Sequence, residues 1–283
     1  QVMKECVEIL KTFASKQANQ IVAALIPGSG TAAVESMLSS AVTDQDTCLI
    51  IDQGAYGKRM QAIAKAHQLN HHMYSPDPLK SLDLNVLESE IKKSKCTHLA
   101  IVHHETSTGL LNNLEDIVPL VQRYNLTCCV DAMSSFGAVP IDMIEDAIHF
   151  CAASSNKNIQ GMAGVGIVLA QQEAMNRLKE VPKRSVYLDL FSHYEYLNSQ
   201  NQALFTPPVQ TIYALKQALM ELMQEGVSKR YKRYQDNWKT LHTCITQHGF
   251  DHLIDIKHHA KLITSYIIEP TRSFSFDEFH DYL

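Results

Sequence analysis

The chain has 283 residues, which is long enough for one large core or for one domain and part of a second. Hydrophobic residues make up 45% and charged residues 19%, as in ordinary globular proteins, and no apolar run approaches the roughly 20 residues that a membrane span needs. The net charge of −5, without any block rich in lysine and arginine, disfavours nucleic acid as a partner. We therefore expect a globular protein that binds neither membrane nor nucleic acid.

The first two thirds of the chain alternates between helix-like and strand-like segments. The strand-like segments are continuous apolar runs, typical of strands covered on both faces, and they are predicted at 21–26, 47–52, 71–75, 98–104, 126–132, 147–153 and 165–170. Helices are predicted at 1–18, 28–42, 56–68, 84–94 and 114–125. This alternation predicts an α/β fold with a mostly parallel, doubly wound sheet and helices on both faces. Because the last run follows its neighbour after a short loop, we expect it to be the one antiparallel strand.

Long helical patterns take over after about residue 171. Two short strand-like runs, 252–257 and 262–270, then precede a helical start at 275–283. We interpret residues 1–205 as a large α/β domain and residues 206–283 as linking helices with the start of a smaller α+β domain. We expect the chain to be a fragment that lacks segments at both ends.

The seven cysteines occur without a CxxC motif or a repeated spacing, and Cys128 and Cys129 lie inside an apolar run. This usage fits a reducing cytoplasm better than a disulfide framework or a zinc site. The three adjacent histidine pairs do not predict a metal site, because neighbouring residues on a strand face opposite sides of the sheet. We therefore expect a cytoplasmic protein without a bound metal.

A candidate anion site follows the first strand. In sheets of this kind, ligands bind beyond the carboxyl ends of the strands, and the segment "PGSGTAAVE" at 27–35 lies there. Ser29, Gly30 and Thr31 open the next helix, whose free N–H groups and positive dipole end would hold a phosphate. The alternative interpretation is an ordinary strand–helix turn with a serine or threonine cap.

Two charged residues follow later strands. Asp131 comes directly after "LTCCV" and is either a cap, a salt-bridge partner, or the partner of a protonated ring nitrogen. Lys157 follows the next strand, where a surface position is the ordinary interpretation, although a lysine in a partly desolvated pocket can bond to an aldehyde. A phosphate cup, a ring partner and such a lysine together describe a site for pyridoxal 5′-phosphate.

Five segments also resemble a known family, the fold-type I, class V aminotransferases that depend on pyridoxal 5′-phosphate. They are "GSGTAAVES", "DQGAYGKR", "HHETSTGLLN", "VDAMSSFGAVPID" and "SSNKNIQGMAG". The resemblance covers essentially the whole chain, is most specific over residues 26–170, and is closest to members that act on 2-aminoethylphosphonate and pyruvate. It departs from those members at Asn158 and at "GMAG", where they usually carry a cysteine and "GVPG".

The resemblance implies roles for the candidate residues. Lys157 would form the covalent link to the cofactor and move a proton, while Asp131 would pair with the ring nitrogen. The family pattern assigns the phosphate to Ser29, Gly30 and Thr31. It places Tyr56 against the ring and Thr106 near the ring hydroxyl. Thr206 would reach the phosphate bound by the neighbouring subunit. The site would then belong to a homodimer. From the residues alone, the alternative interpretation of Tyr56 is a core tyrosine, and that of Thr206 is a helix cap before Pro207.

The resemblance also implies an amine donor and a 2-oxo acid acceptor as substrates, with an arginine to hold the donor's acidic group. All the arginines of the chain are more easily interpreted as surface residues, and none is assigned this role: Arg59, Arg123, Arg177, Arg184, Arg230, Arg233 and Arg272. We expect the arginine to lie beyond residue 283. Transfer from alanine or serine to glyoxylate or pyruvate is the alternative within the family.

Three further alternatives stay open on the sequence. A lyase related to cysteine desulfurases would need a cysteine on a mobile loop, and none of the seven is clearly placed there. A phosphate- or nucleotide-binding module would use the "GSGT" turn with Lys157 as an incidental neighbour. A homologue without catalytic activity is the third.

Overall fold

The computed structural model describes residues 1–269 and 274–282. Its strands comprise a central sheet and two short pairs: β1 Ile21–Pro27, β2 Cys48–Ile51, β3 His71–Tyr74, β4 His98–Val102, β5 His104–Glu105, β6 Leu110–Leu111, β7 Thr127–Asp131, β8 Phe150–Ser154, β9 Val165–Gln171, β10 Asp251–His252 and β11 Tyr266–Ile267. Its α-helices are α1 Val2–Ala14, α2 Gly30–Ala41, α3 Ala55–Ala66, α4 Leu84–Ser94, α5 Leu114–Arg123, α6 Gln172–Arg177, α7 Leu190–Gln200, α8 Val209–Glu225, α9 Val227–Gln247 and α10 Phe276–Tyr282.

The central sheet has seven strands in the order β1–β9–β8–β7–β4–β2–β3. The strands β8, β7, β4, β2 and β3 pair in parallel, whereas β9 runs antiparallel to both of its neighbours. This confirms the predicted α/β fold, its mostly parallel sheet and its antiparallel strand. Because the parallel strands share one direction, their carboxyl ends lie together at one edge.

Both faces of the sheet are covered. Along β1, Ile21 and Leu25 pack into a core that includes residues of α1, α4, α5 and α8, whereas Val22 and Ile26 pack into a second core with residues of α2, α3, α6 and α7. Successive strand residues point to opposite faces, so a run that is apolar throughout can serve both cores. Each fully buried side chain of this size contributes about 1.5–3 kcal/mol to folding. The two cores fix the strand ends that carry the polar residues described below.

Several predicted boundaries differ from the structure. The first helix ends at Ala14 instead of residue 18, and a 3₁₀ turn occupies Ala18–Gln20. Strand β4 ends at Val102, because the chain then leaves the sheet to form the β5–β6 hairpin. In the C-terminal part, the predicted strand 252–257 is wrong except at its first residue, since Ile256–His258 forms a 3₁₀ turn.

The two remaining C-terminal predictions hold only in part. The run 262–270 contributes only Tyr266–Ile267 to a strand, and its residue 270 lies outside the described residues. The predicted helix at 275–283 is present as α10, with residue 283 outside the described part. Within residues 1–269 and 274–282, no helix combines the length and the apolar character that crossing a membrane requires.

Candidate active site

A cavity of about 430 Å³ opens at the carboxyl edge of the sheet. It is lined by residues that follow the strands and by residues that begin the helices: Ser29, Gly30, Thr31, Tyr56, Arg59, Val102, His104, Thr106, Asp131, Met133, Ser134, Ser154, Asn156, Lys157, Ala163 and Gly164. Seven of the eight residues that the sequence predicted for the site are therefore neighbours in space. The eighth, Thr206, does not line the cavity.

One wall of the cavity is the amino end of α2. Ser29 occupies the cap position, but its side chain makes no capping hydrogen bond, so the alternative of a simple serine cap is wrong. The first N–H groups of a helix have no partner within the helix, and the helix dipole is positive there. Gly30 leaves room for the Met133 side chain, because a Cβ atom at this position would lie 2.3 Å from the sulfur of Met133. This wall can bind an anion through backbone N–H groups.

Asp131 ends β7 and is buried, with 5% of its surface exposed. Its Oδ1 accepts a hydrogen bond from the backbone N–H of Met133 at 2.9 Å. Burial raises the pKa of Asp131 to about 6, while the Met133 hydrogen bond and the charge of Arg59 oppose that rise. Among the described residues no cation forms an ion pair with this carboxyl group, so the salt-bridge interpretation is wrong. A cationic ligand group would supply the missing partner.

Lys157 lies in the turn between β8 and β9, and its side chain lines the cavity. The expectation of a partly desolvated lysine is wrong for the single chain, because Lys157 is exposed there. The turn itself is held by hydrogen bonds, among them the one that the backbone N–H of Gln160 donates to the Lys157 carbonyl at 2.8 Å. The amine is thus accessible to a ligand, and its backbone is fixed.

Tyr56 and Thr106 complete the predicted lining, and both are half-buried. Tyr56 lies in the first turn of α3, and its backbone N–H donates to the buried carboxylate of Glu105 at 3.3 Å. Tyr56 is thus a cavity residue, which disfavours its interpretation as an ordinary core tyrosine. Thr106 follows Glu105 in the β5–β6 hairpin, so both residues depend on that hairpin for their position.

Thr206 is exposed and does not cap α8, since Pro208 occupies the cap position of that helix. The interpretation of Thr206 as a helix cap is therefore wrong. Its predicted contact to a neighbouring subunit needs a second chain and stays a prediction.

The interpretation of all arginines as surface residues is wrong at Arg230, and it misses the position of Arg59, which is exposed. Arg59 lines the cavity, where its guanidinium carbon lies 5.0 Å from the centre of the Tyr56 ring and its Nη1 donates to Thr31 Oγ1 at 3.4 Å. Arg230 is 2% exposed and therefore buried. Of the seven arginines considered, Arg272 lies outside the described residues.

Sequence reasoning also missed two cavity residues with unsatisfied polar atoms. Ser154 Oγ and His104 Nε2 are buried and have no hydrogen-bond partner among the described residues. His104 Nδ1 donates to the Ser134 carbonyl at 3.2 Å, and burial lowers the pKa of the ring, so Nε2 is a free acceptor at neutral pH. Both residues lie at the carboxyl edge of the sheet, and from this position the sequence could have predicted them as site residues. An unsatisfied buried polar atom is costly, and a ligand can satisfy it.

Comparison with protein families gives a match to Aminotransferase class-V over residues 4–269. The chain is 41% identical to a 2-aminoethylphosphonate–pyruvate transaminase of Lysinibacillus sphaericus, over 91% of this chain and 70% of that protein. It is 36% identical to a bifunctional phosphonoacetaldehyde hydrolase/aminoethylphosphonate transaminase of Clostridioides difficile, over 97% of this chain. The chain spans only 43% of the length of that bifunctional protein.

Solved structures agree with the family match. An alanine–glyoxylate aminotransferase from Nostoc sp. superimposes with a TM-score of 0.89 at 25% identity, covering 96% of this chain and 72% of that one. The family match includes every cavity residue, because it extends from residue 4 to residue 269. The chain therefore belongs to the class V aminotransferases, which depend on pyridoxal 5′-phosphate.

Proposed function

We propose that this protein transfers the amino group of 2-aminoethylphosphonate to pyruvate, giving phosphonoacetaldehyde and alanine. The observation that carries the proposal is the 41% identity to the transaminase of Lysinibacillus sphaericus over 91% of this chain. The cavity supports it independently, since it brings an anion-binding helix end, a buried carboxyl group and an accessible amine together. No cysteine of the described residues lines this cavity, which disfavours a desulfurase.

The cavity residues fit pyridoxal 5′-phosphate. Within residues 1–269 and 274–282, Asp131 has no cation paired with it, and Ser154 Oγ and His104 Nε2 have no hydrogen-bond partner, so polar groups of a ligand would satisfy all three. Serine, glycine and threonine at the start of α2 offer backbone and hydroxyl donors that suit a phosphate. When bound, the cofactor supplies an aldehyde that bonds to amines and a ring that withdraws electrons from the bond being broken.

In this proposal each residue has a separate task. Ser29, Gly30 and Thr31 hold the phosphate, and Arg59 adds a positive charge beside Thr31. Tyr56 lies against the ring, where an aromatic face suits a flat heterocycle, and Thr106 binds near the ring hydroxyl.

Two residues carry the chemistry. Asp131, kept ionised by a positively charged partner, holds the proton on the ring nitrogen. Lys157 would hold the cofactor covalently, and its amine, once freed by the donor, would carry the proton that leaves the donor's carbon to the cofactor. The anion-binding start of α2 and Asp131 would orient the ligand, so that the lysine can act on one carbon.

We further propose that the protein is a homodimer in which Thr206 reaches the phosphate of the partner's site. Exposed large apolar side chains support this, since Met162 is 56% exposed, Val209 51% and Tyr213 59% in the single chain. Val209 and Tyr213 belong to α8. Thr211 of this helix donates a hydrogen bond to the Ala163 carbonyl at 3.5 Å, so α8 begins beside the cavity rim. We also propose a cytoplasmic location, because all seven cysteines are free and six of them are buried.

Steady-state rates test the substrate. We expect kcat/KM for 2-aminoethylphosphonate with pyruvate to exceed kcat/KM for alanine with glyoxylate when the full-length protein is loaded with pyridoxal 5′-phosphate. A Lys157→Ala variant serves as the blank for both reactions, because it lacks the amine. The reverse order of the two kcat/KM values would contradict the proposed donor and favour an alanine–glyoxylate aminotransferase.

A further inference from the structure

Arg230 is a buried charge beside the turn that carries Lys157. It lies in the first turns of α9 and is 2% exposed. Its Nη1 donates to the carbonyl of Asn158 at 2.7 Å and reaches the carbonyl of Ile159 at 3.5 Å. These carbonyls belong to the two residues that directly follow Lys157. The helix α9 therefore contacts the lysine turn through Arg230, and also through Tyr234, whose hydroxyl accepts a hydrogen bond from Gln160 Nε2.

The other side of the Arg230 guanidinium is fixed by Glu225, the last residue of α8. Arg230 Nε donates to Glu225 Oε2 at 2.6 Å, and Arg233 Nε donates to Glu225 Oε1 at 2.6 Å. The hydrogen bond from Arg233, together with that from Arg230, lowers the pKa of Glu225 to about 2. Glu225 therefore stays ionised at any working pH, and the orientation of Arg230 does not depend on titration of its partner.

The lysine turn needs support from outside itself. Gln160, three residues after Lys157, has a φ of +67°, a left-handed conformation that is unfavourable for any residue other than glycine. Asn158 Nδ2 donates to the Ser134 carbonyl at 2.7 Å, which ties one side of the turn to the cavity wall. Arg230 holds the other side of the turn, and it does so through main-chain carbonyls instead of a side chain.

A buried ion pair is no more stabilising than apolar residues of similar size would be. A charge at this position is therefore better explained by the geometry that it imposes. The planar guanidinium binds Glu225 and the Asn158 carbonyl at once, which a lysine ammonium or an apolar side chain cannot do in the same orientation.

We propose that Arg230 is a positioning residue that holds the Lys157 turn, and with it the lysine amine, at the cavity. The proposal rests on the proposed role of Lys157 as the residue that bonds to the cofactor. It links the α8–α9 junction to the chemistry without any contact between Arg230 and a ligand.

The test compares Arg230→Met with Arg230→Lys and with a matched control, Arg233→Met. The control loses two hydrogen bonds to Glu225 but leaves the carbonyl contact of Arg230 in place, and Arg233 lies far more exposed, at 46% of its side chain. Hydrogen exchange of the peptide 155–164 is measured first, in the cofactor-free protein. We expect exchange in Arg230→Met to be about tenfold faster than in Arg233→Met, as for loss of one hydrogen bond to a charged group.

Kinetics of the loaded enzyme give the second readout. We expect kcat of Arg230→Met to fall by about 10- to 100-fold through misplacement of the amine, with KM for both substrates nearly unchanged. The pH at which the visible absorbance of the bound cofactor changes should shift as well. Arg230→Lys should fall between Arg230→Met and the wild type in exchange and in kcat.

Equal exchange in Arg230→Met and Arg233→Met would overturn the proposal, and so would a kcat that falls only as far as the folded fraction does. If Arg230→Met does not fold, Arg230→Lys against Arg233→Met decides by the same two readouts. A wild-type protein without transaminase activity would contradict the proposed function alone, because the exchange of the cofactor-free turn still tests Arg230.

Discussion

Asp131 keeps a carboxyl group in a buried position where ionisation is unfavourable. Burial raises its pKa to about 6 in the absence of a ligand cation. At Asp131 the folded chain therefore binds more protons than the unfolded chain between about pH 4 and 6, so the contribution of this one group to stability falls as the pH rises through that window. A residue that suits a cationic ligand group is thus a source of instability when that group is missing.

Replacing Asp131 with asparagine should stabilise the cofactor-free protein at neutral pH. The side chain keeps an oxygen for the Met133 N–H but cannot ionise, so we expect the free energy of unfolding at pH 7 to rise by about 1–3 kcal/mol. The difference should vanish toward pH 4, where Asp131 is protonated. Urea denaturation of both proteins across pH 4–8 measures it, and a variant less stable than wild type at pH 7 would contradict the prediction.

Asp142 gives a control of opposite sign. Burial raises the pKa of its carboxyl group, but hydrogen bonds from Ser15 Oγ and from backbone N–H groups outweigh burial and lower it. Asp142→Asn should therefore lose stability at pH 7 and approach the wild type at low pH.

Lys157 should be the residue that bonds covalently to pyridoxal 5′-phosphate, because its amine lines the same cavity as Asp131 and the start of α2. Borohydride reduction of the loaded protein, followed by peptide mass mapping, should locate a pyridoxyl group on Lys157. Lys157→Ala should lose the visible absorbance of the linked cofactor, whereas Lys58→Ala, on the exposed side of α3, should keep it. A pyridoxyl group on another lysine would show that the assignment is wrong.

At the scale of elements, the sequence predicted the sheet well because most of its strands are continuous apolar runs. It failed where a local side chain competes with the strand. In the run 252–257, Asp255 accepts a hydrogen bond from the backbone N–H of Lys257, which bends the chain into a 3₁₀ turn. Alternating polar and apolar residues looked like a half-buried strand there, and periodicity alone cannot detect such a turn.

The candidate site was predictable for residues on the strand ends and on the start of α2, because position in the chain fixes position at the carboxyl edge of the sheet. Arg59 and Arg230 were not predictable in the same way. Both lie on helices with many charged residues, and a long side chain can point to water or to the protein interior from such a position. Only the packing of α3 and α9 against the rest of the chain decides between the two.

At the scale of the whole molecule, the exposed apolar side chains of Met162, Val209 and Tyr213 predict the homodimer. Tyr213→Glu should weaken self-association, because it places a charge among apolar contacts, and cofactor affinity should fall with it if the site is shared. Leu241→Glu on α9, equally exposed, is the matched control. Sedimentation velocity of the loaded protein at micromolar concentration measures the effect. A wild-type monomer with tightly bound cofactor would contradict the prediction.

The antiparallel strand β9 has a consequence for the order in which the chain can fold. The early strand β1 has β9 as its partner within the sheet, with Ile21 opposite Gln171, so it cannot complete its ladder until synthesis has passed that residue. Ribosomes add about 5–20 residues per second, so the apolar segment Ile21–Pro27 waits for several seconds with its backbone groups unpaired. Pairing over such a sequence distance is slow, and an unpaired apolar strand is prone to aggregation. The same topology that gathers the strand ends around the cavity thus exposes an unpaired apolar strand while the chain is being made.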